Sequence, residues 1–131
     1  MNVIREKKAK DFTEAVFALM RERSMDKMGD IIAAAAAGPA PRFYVSFENA
    51  RRFVSLIIRG QKIPLVNKDK MAMYEELAKK YIARRKQLRK DGERYVNYTL
   101  LEEIIETPAP SFYADAETLR CLFYQYMRLK R

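Results

Sequence analysis

Apolar residues recur at helical spacing along most of the chain, with lysine, arginine and glutamate between them. The first such stripe consists of Phe12, Ala15, Val16, Leu19 and Met20. Spacings of three and four residues place these side chains on one face of an α-helix, because the helix turns about once every 3.6 residues. The stripe therefore predicts an amphipathic helix over residues 11–23, with Asp11 as its N-cap.

Capping residues and helix breakers bound the next two helices. Asp30 precedes two isoleucines and five alanines, and Gly38 and a proline follow them, which predicts a short second helix. We interpret the alanine run as helix and not as a linker, because alanine is the strongest helix former. Ser46 is a suitable N-cap for a third helix over residues 47–59, and Gly60 ends that helix.

The second half of the chain predicts a similar series of long, short and capped helices. The longest predicted helix covers residues 68–90. Thr99 and Glu102 have the spacing of a capping box, and they open a short helix that Pro108 terminates. Asp115 then caps a final helix near the C-terminus. The expected fold class is therefore all-α, with about six helices.

One short segment of the chain occurs twice. Residues 39–48 read PAPRFYVSFE, and residues 108–117 read PAPSFYADAE. We call the shared Pro-Ala-Pro-x-Phe-Tyr part clasp 1 in residues 39–44 and clasp 2 in residues 108–113. Two prolines fix an extended path, and aromatic residues just ahead of an N-cap can pack back on the domain. A structural role for the clasps is thus favoured over recognition.

The repeat also predicts the domain organisation. Both copies consist of a short helix, a clasp and a capped helix, so we expect an internal duplication of a helix-clasp-helix unit. A chain of this length is typical of one domain, residues 1–131. The prediction is one pseudo-symmetric helical bundle made of two related halves, about 1–64 and 65–131.

The helix after each clasp can be compared position by position. The expected core stripe is Ala50, Phe53, Val54, Ile57 and Ile58 in the first copy and Leu119, Leu122, Phe123, Tyr126 and Met127 in the second. On another face cations recur, at Arg51, Arg59 and Lys62 and at Arg120, Arg128 and Arg131. Tyr124 lies between Arg120 and Arg128 on that face. Cations with an aromatic residue between them suit phosphates and base stacking, so these residues are predicted to bind nucleic acid.

Structural explanations compete with this interpretation. Glu48 and Glu117 precede Arg51 and Arg120 by three residues, a spacing at which side chains on a helix form ion pairs. Arginines near helix C-termini are also favoured by the helix dipole. Either effect could retain these cations without a partner molecule.

The densest positive charge lies in residues 79–90, inside the long helix. Lys79, Lys86 and Lys90 share an exposed face and extend the predicted nucleic-acid-binding set. Arg85 instead falls within the apolar stripe of this helix, where an unpaired charge is unfavourable. Two alternatives follow. Either the end of the helix projects beyond the core as a cationic rod suited to a duplex backbone, or Arg85 pairs with a carboxylate of another element.

The overall charge is strongly positive, with 26 lysines and arginines against 17 aspartates and glutamates and a net charge of +9. This excess indicates a polyanionic partner, first of all nucleic acid. The chain has no histidine, a single cysteine, no glycine-rich phosphate loop and no recognisable nucleophile. We therefore expect no catalytic activity, no metal site and no cofactor.

The N-terminal segment carries no apolar signal-peptide core, because acidic residues such as Asp11 and Glu14 interrupt it. The longest apolar run, residues 31–37, is much shorter than the roughly 18 residues that a membrane span requires. The single cysteine fits a reducing compartment. These features predict a cytoplasmic protein without membrane association.

Three functional hypotheses follow. The short helix and capped helix of each copy resemble a helix-turn-helix pair, which favours DNA binding over RNA binding, although the connection of residues 38–45 is longer than the usual turn. Exposed tyrosines such as Tyr98 and Tyr124 would instead favour an RNA-binding module. An uncharged apolar surface patch would favour a protein partner or a homodimer. We favour non-enzymatic nucleic-acid binding through basic helix faces.

Overall fold

A computed structural model of the chain describes residues 2–24, 26–64 and 67–130, and within these ranges it contains six α-helices and no β-strand. The helices are α1 (Val3–Glu22), α2 (Met28–Ala36), α3 (Phe47–Ile58), α4 (Lys68–Lys90), α5 (Asn97–Ile105) and α6 (Ala116–Leu129). The predicted all-α class and the six helices are thereby confirmed. The bounds of α4 agree with the prediction, whereas α1 begins eight residues earlier than expected.

The helices form two compact units. Unit 1 comprises Met1–Tyr44 and Pro108–Arg131, and unit 2 comprises Val45–Thr107. Unit 1 therefore contains α1, α2 and α6, together with both clasps, and unit 2 contains α3, α4 and α5. These units do not coincide with the halves 1–64 and 65–131, because each unit combines two helices from one half with one helix from the other. The relatedness of the halves stays a prediction.

Unit 1 is organised around the apolar face of α1. Phe12 and Val16 are completely buried there, and α1 packs against both α2 and α6. The Phe12 ring meets Phe112 of clasp 2 edge to face, with ring centroids 5.3 Å apart. Leu119 of α6 is also completely buried. An apolar stripe of helical period thus builds this core, as the sequence predicts.

The two clasps pair with each other inside unit 1. The Ala40 N–H donates to the Ala109 carbonyl oxygen and the Ala109 N–H donates to the Ala40 carbonyl oxygen, both at 2.9 Å. Phe43 and Phe112 are buried, with 2% and 1% of their surfaces exposed. The clasp aromatics therefore pack into the protein, which agrees with a structural role.

Asp11 joins clasp 1 to the middle of α1. Its carboxylate accepts a hydrogen bond of 2.7 Å from the Tyr44 hydroxyl and forms an ion pair with Arg42 Nε at 3.1 Å. The prediction of Asp11 as an N-cap is wrong, because α1 begins at Val3 and Asn2 caps it by accepting from the Arg5 N–H at 2.7 Å. The carboxylate is thus used in tertiary structure and not at a helix end.

Unit 2 is a three-helix cluster whose core lies along α4. Tyr74 and Leu77 of α4 are buried, and the Tyr74 ring contacts Phe53 of α3 with centroids 4.7 Å apart. Burial raises the pKa of the Tyr74 hydroxyl above its usual value, because the phenolate would lose hydration. Leu101 and Ile104 of α5 complete the core. As in unit 1, side chains at helical spacing form the contact surface.

Some of the predicted helix caps are present in the structure and others are not. Ser46 and Asp115 are N-caps, and they accept from the backbone N–H of the third residue that follows, at 3.2 and 2.7 Å. Gly60 follows α3 with a φ of 73°, a left-handed conformation that glycine adopts without a steric penalty. Asp30 and Thr99 are not N-caps, because α2 and α5 begin earlier and place both residues in the helix.

We expect Tyr44→Phe to lower the free energy of unfolding by about 1.5 kcal/mol, because it removes a hydrogen bond to a charged, largely buried carboxylate. Urea denaturation of the full chain measures this loss. Tyr124→Phe is the matched control, since Tyr124 is 43% exposed, and it should change stability by less than about 0.5 kcal/mol. Equal stability of the two variants would contradict a stabilising role for the Tyr44 hydroxyl.

The N-cap of α6 should contribute to the loss of stability in acid. Hydrogen bonds from the Thr118 backbone N–H and side chain lower the pKa of Asp115 below its usual 3.8. The resulting stabilisation is present above pH 3.8 and is lost as the pH falls through the lowered pKa of the folded state. Asp115→Asn keeps a capping side chain but cannot titrate. Its melting temperature should therefore fall less steeply than that of the wild type below pH 4, in scans between about pH 2 and 6; parallel curves would refute this.

Candidate nucleic-acid interface

All nine predicted nucleic-acid-binding residues are exposed, but they divide between the two units. Unit 2 contains Arg51, Arg59, Lys62, Lys79, Lys86 and Lys90, and unit 1 contains Arg120, Tyr124 and Arg128. Arg131, the predicted counterpart of Lys62, lies outside the described residues. The predicted set is therefore described as two surfaces, one on each unit.

On α6 the nearest partner of Arg120 is the carboxylate of Glu117, which accepts a hydrogen bond of 3.1 Å from Arg120 Nε. This contact lowers the pKa of Glu117 and raises that of Arg120. Arg51 on α3 has the same arrangement, with Nη2 3.1 Å from the carboxylate of Glu48. The ion-pair alternative is thus realised on both helices, α3 and α6, yet Arg51 and Arg120 remain more than 45% exposed.

Unit 2 also contains a groove between α3, α4 and α5, with a volume of about 420 Å³. We call it the α3–α5 groove. Its apolar lining comes from Phe47, Val54, Ile58, Tyr81, Tyr98 and Leu101. Its polar lining comes from Arg51, Ser55, Arg59, Arg85 and Asn97. Three arginines therefore surround a largely apolar and aromatic depression.

The aromatic wall of this groove lies at its α5 side. Phe47 and Tyr98 are in contact, with ring centroids 4.1 Å apart and planes inclined by 42°. Tyr98 is 54% exposed, so much of its ring surface is open to a ligand. Ile58 was predicted as a core residue, and this prediction is wrong, because Ile58 is 36% exposed and lines the groove. The C-terminal end of the apolar stripe on α3 therefore lines the groove and is not part of the core of unit 2.

Arg85 lies in this groove with one donor that lacks a partner. Its Nε is buried and has no hydrogen-bond acceptor among the described residues. The guanidinium carbon lies 5.3 Å from the centroid of the Tyr81 ring, a cation–π contact. The Tyr81 hydroxyl in turn donates to Asn97 Oδ1 at 2.8 Å. Arg85 is therefore placed by an aromatic face and not by a carboxylate.

Neither of the two predicted alternatives for Arg85 is present among the residues that the structure describes. No ion pair of Arg85 is present in the described part of the chain, and Leu88, one turn further along α4, is only 6% exposed. Leu88 shows that α4 still contacts the core beyond Arg85, so the helix does not leave the core at that residue. If the alignment of the clasps is continued without a gap, Arg85 corresponds to Val16, which is completely buried in unit 1.

Arg52 was missed by the sequence comparison, because Cys121 occupies the matching position on α6. Arg52 lines a second open depression, of about 630 Å³, along α3. This depression shares Arg51, Ser55 and Arg59 with the α3–α5 groove. Arg59 Nη2 donates to Ser55 Oγ at 2.7 Å, which orients its guanidinium along α3. We call the three arginines that line this depression, Arg51, Arg52 and Arg59, the cationic strip.

Comparisons with protein-family models, with curated proteins and with solved structures each find no match to this chain. Within residues 2–24, 26–64 and 67–130, no group of three or more histidine, cysteine, aspartate or glutamate side chains is arranged to hold a metal ion. None of the helices in the described ranges combines the length and apolar character that a crossing of the bilayer requires.

We expect Arg85→Met to raise the free energy of unfolding by about 1 kcal/mol, because a partly buried charge without a carboxylate partner is replaced by an apolar side chain of similar length. Urea denaturation is the measurement. Arg84→Met, at the exposed neighbouring position, is the control and should change stability by less than about 0.5 kcal/mol. Clear destabilisation of the Arg85 variant alone would mean that Arg85 supports the fold.

Proposed function

We propose that this chain is a non-enzymatic nucleic-acid-binding protein whose principal binding surface is the α3–α5 groove of unit 2 and the cationic strip beside it. The observation that carries the proposal is the convergence of three arginines, Arg51, Arg59 and Arg85, on one groove with aromatic side chains in its lining. The exposed guanidinium groups of Arg51 and Arg59 can form charge-assisted hydrogen bonds with phosphate oxygens.

Nucleic acid matches the chemistry of this surface better than a simple anion does. Arginine contacts phosphate oxygens through paired N–H donors, and aromatic side chains stack on bases. The groove offers both, with Arg51 and Arg59 beside the exposed ring of Tyr98. The net charge of +9 adds long-range attraction for a polyanion. On the same unit Lys79, Lys86 and Lys90 are exposed and extend the positive surface along α4.

The proposal includes the internal duplication. Helices α2 and α5 have nine residues each and lie at the same distance before their clasps, and neither begins with a side-chain cap. Ser46 and Asp115 cap the helices that follow the clasps. In this proposal the two copies have exchanged their third helices, so that α6 completes unit 1 and α3 completes unit 2. The α6 residues Arg120, Tyr124 and Arg128 then form a second, related surface.

DNA is the first polymer to test, but the reason is no longer a predicted helix-turn-helix pair. Such a mode requires a compact pair of helices, and α2 belongs to unit 1 whereas α3 belongs to unit 2. The helices α5 and α6 are divided in the same way. Binding is therefore assigned to the groove and its arginines, and not to a recognition helix.

A protein partner is the second candidate, and the apolar lining of the groove favours it. Val54, Ile58 and Leu101 would accommodate apolar side chains of an acidic segment, with Arg51 and Arg59 pairing with its carboxylates. Binding of short oligonucleotides distinguishes the two candidates, because a nucleic-acid site binds them without any protein partner.

We expect Arg51→Glu combined with Arg59→Glu to weaken nucleic-acid binding at least about tenfold and to reduce the salt slope by about 2, because two phosphate contacts are lost. Fluorescence anisotropy against duplex DNA, single-stranded DNA and structured RNA, at about 50 and 200 mM salt, measures both quantities.

The control for this experiment is Lys7→Glu combined with Lys10→Glu, on the exposed side of α1 in unit 1, which changes the net charge equally. A similar loss in both double variants would indicate general electrostatic attraction and remove the groove from the proposal. Failure of the wild type to bind any of the three polymers at the lower salt would refute nucleic-acid binding and leave the protein partner.

A further inference from the structure

We infer that the α3–α5 groove accepts a single unpaired nucleobase, so that the chain selects single-stranded nucleic acid over duplex. This inference rests on the proposed function and narrows it to one class of polymer. It depends on the volume, the aromatic wall and the N–H donors of the groove, and not on its charge alone.

The size and lining of the groove suit a base. Its volume of about 420 Å³ lies within the range of about 300–1,000 Å³ that is typical of sites for small ligands. Phosphate is strongly hydrated and does not favour a lining of Val54, Ile58 and Leu101, whereas the faces of a base are apolar. A nucleotide therefore binds with its base inside the groove and its phosphates at the edge.

The ring of Tyr98 provides a stacking surface. Phe47 supports it from one side with a centroid distance of 4.1 Å, and 54% of the Tyr98 surface is exposed. Stacking of a base on an aromatic side chain tolerates any sequence, because every base has a π-face. In a duplex both faces of a base are covered by its neighbours, so only an unpaired, unstacked base can use this surface.

Two donors inside the groove match the acceptors on a base. Arg85 lines the groove and carries guanidinium N–H donors, and Asn97 Oδ1 already accepts from the Tyr81 hydroxyl, which leaves the Asn97 amide N–H groups as donors. Thymine, uracil, guanine and cytosine present carbonyl oxygens and adenine presents ring nitrogens, so these donors can meet an acceptor on any base.

Arg51 and Arg59 are placed to contact the phosphates on either side of such a base. Both line the groove and are exposed, and they lie two helical turns apart on α3. Ser55 lies between them and orients Arg59 through a hydrogen bond of 2.7 Å. An unpaired nucleotide can therefore place its base in the groove and its phosphates against the two arginines, whereas a base-paired duplex cannot.

The test compares three probes with the same number of phosphates per strand: a thymidine oligonucleotide, its duplex with an adenine strand, and a strand in which the central bases are replaced by abasic sites. The full-length wild type should bind the thymidine strand at least about tenfold more tightly than either of the other probes at about 150 mM salt. The variants are Tyr98→Leu, which keeps an apolar side chain without a ring, and Arg85→Met.

Each variant should lose about tenfold in affinity for the thymidine strand and should change little on the abasic strand, because only contacts to a base are removed. Tyr95→Leu is the matched control, since Tyr95 lies on the same unit outside the groove and its hydroxyl accepts from Arg89 Nε at 2.9 Å. Melting curves of all variants verify that each is folded.

The outcomes separate this inference from the proposed function. Salt-dependent binding of equal strength to all three probes would overturn base recognition and leave nucleic-acid binding intact. Preference for the thymidine strand that survives in both groove variants would place base recognition elsewhere and also overturn the inference. Absence of binding to every probe, at about 50 mM salt as well, would overturn the proposed function itself.

Discussion

The pairing of the two clasps is the constraint on which the rest of the structure depends. Ala40 and Ala109 exchange backbone hydrogen bonds, and the buried rings of Phe43 and Phe112 fix both segments in unit 1. Clasp 2 leads into α6, which packs with α1 and α2 in the same unit. Clasp 1 leads into α3 after the same spacing, but α3 packs with α4 and α5. The clasps therefore anchor unit 1, and the packing of the apolar helix faces decides which unit each capped helix joins.

Asp11 links this constraint to α1. The Tyr44 hydroxyl and Arg42 satisfy its carboxylate at 2.7 and 3.1 Å, so a charge near the middle of α1 has the partners that burial demands. Arg85 on α4 has an aromatic face beneath its guanidinium and a buried Nε without an acceptor. Val16 stands at the matching position of α1 and is completely buried. A charge without a carboxylate partner is unfavourable at such a partly buried position.

Prediction from the sequence succeeded where the physical cause is local. Ser46, Asp115 and Gly60 were assigned correctly, because capping and the left-handed conformation involve only a few neighbouring residues. Asp11 and Ile58 were assigned incorrectly for the opposite reason. The partners of Asp11 come from clasp 1, distant in sequence, and the exposure of Ile58 depends on how α3 packs against α4 and α5. Neither position carries a local signal of its environment.

The sequence by itself determined the number and type of helices, because apolar periodicity and helix breakers act within one or two turns. It also determined the cations exposed on α3, α4 and α6. Only the tertiary structure decided that α6 completes unit 1 and α3 completes unit 2. It alone formed the groove that holds Arg85 and Tyr98, because packing between distant segments sets which side chains meet and which polar atoms remain without a partner.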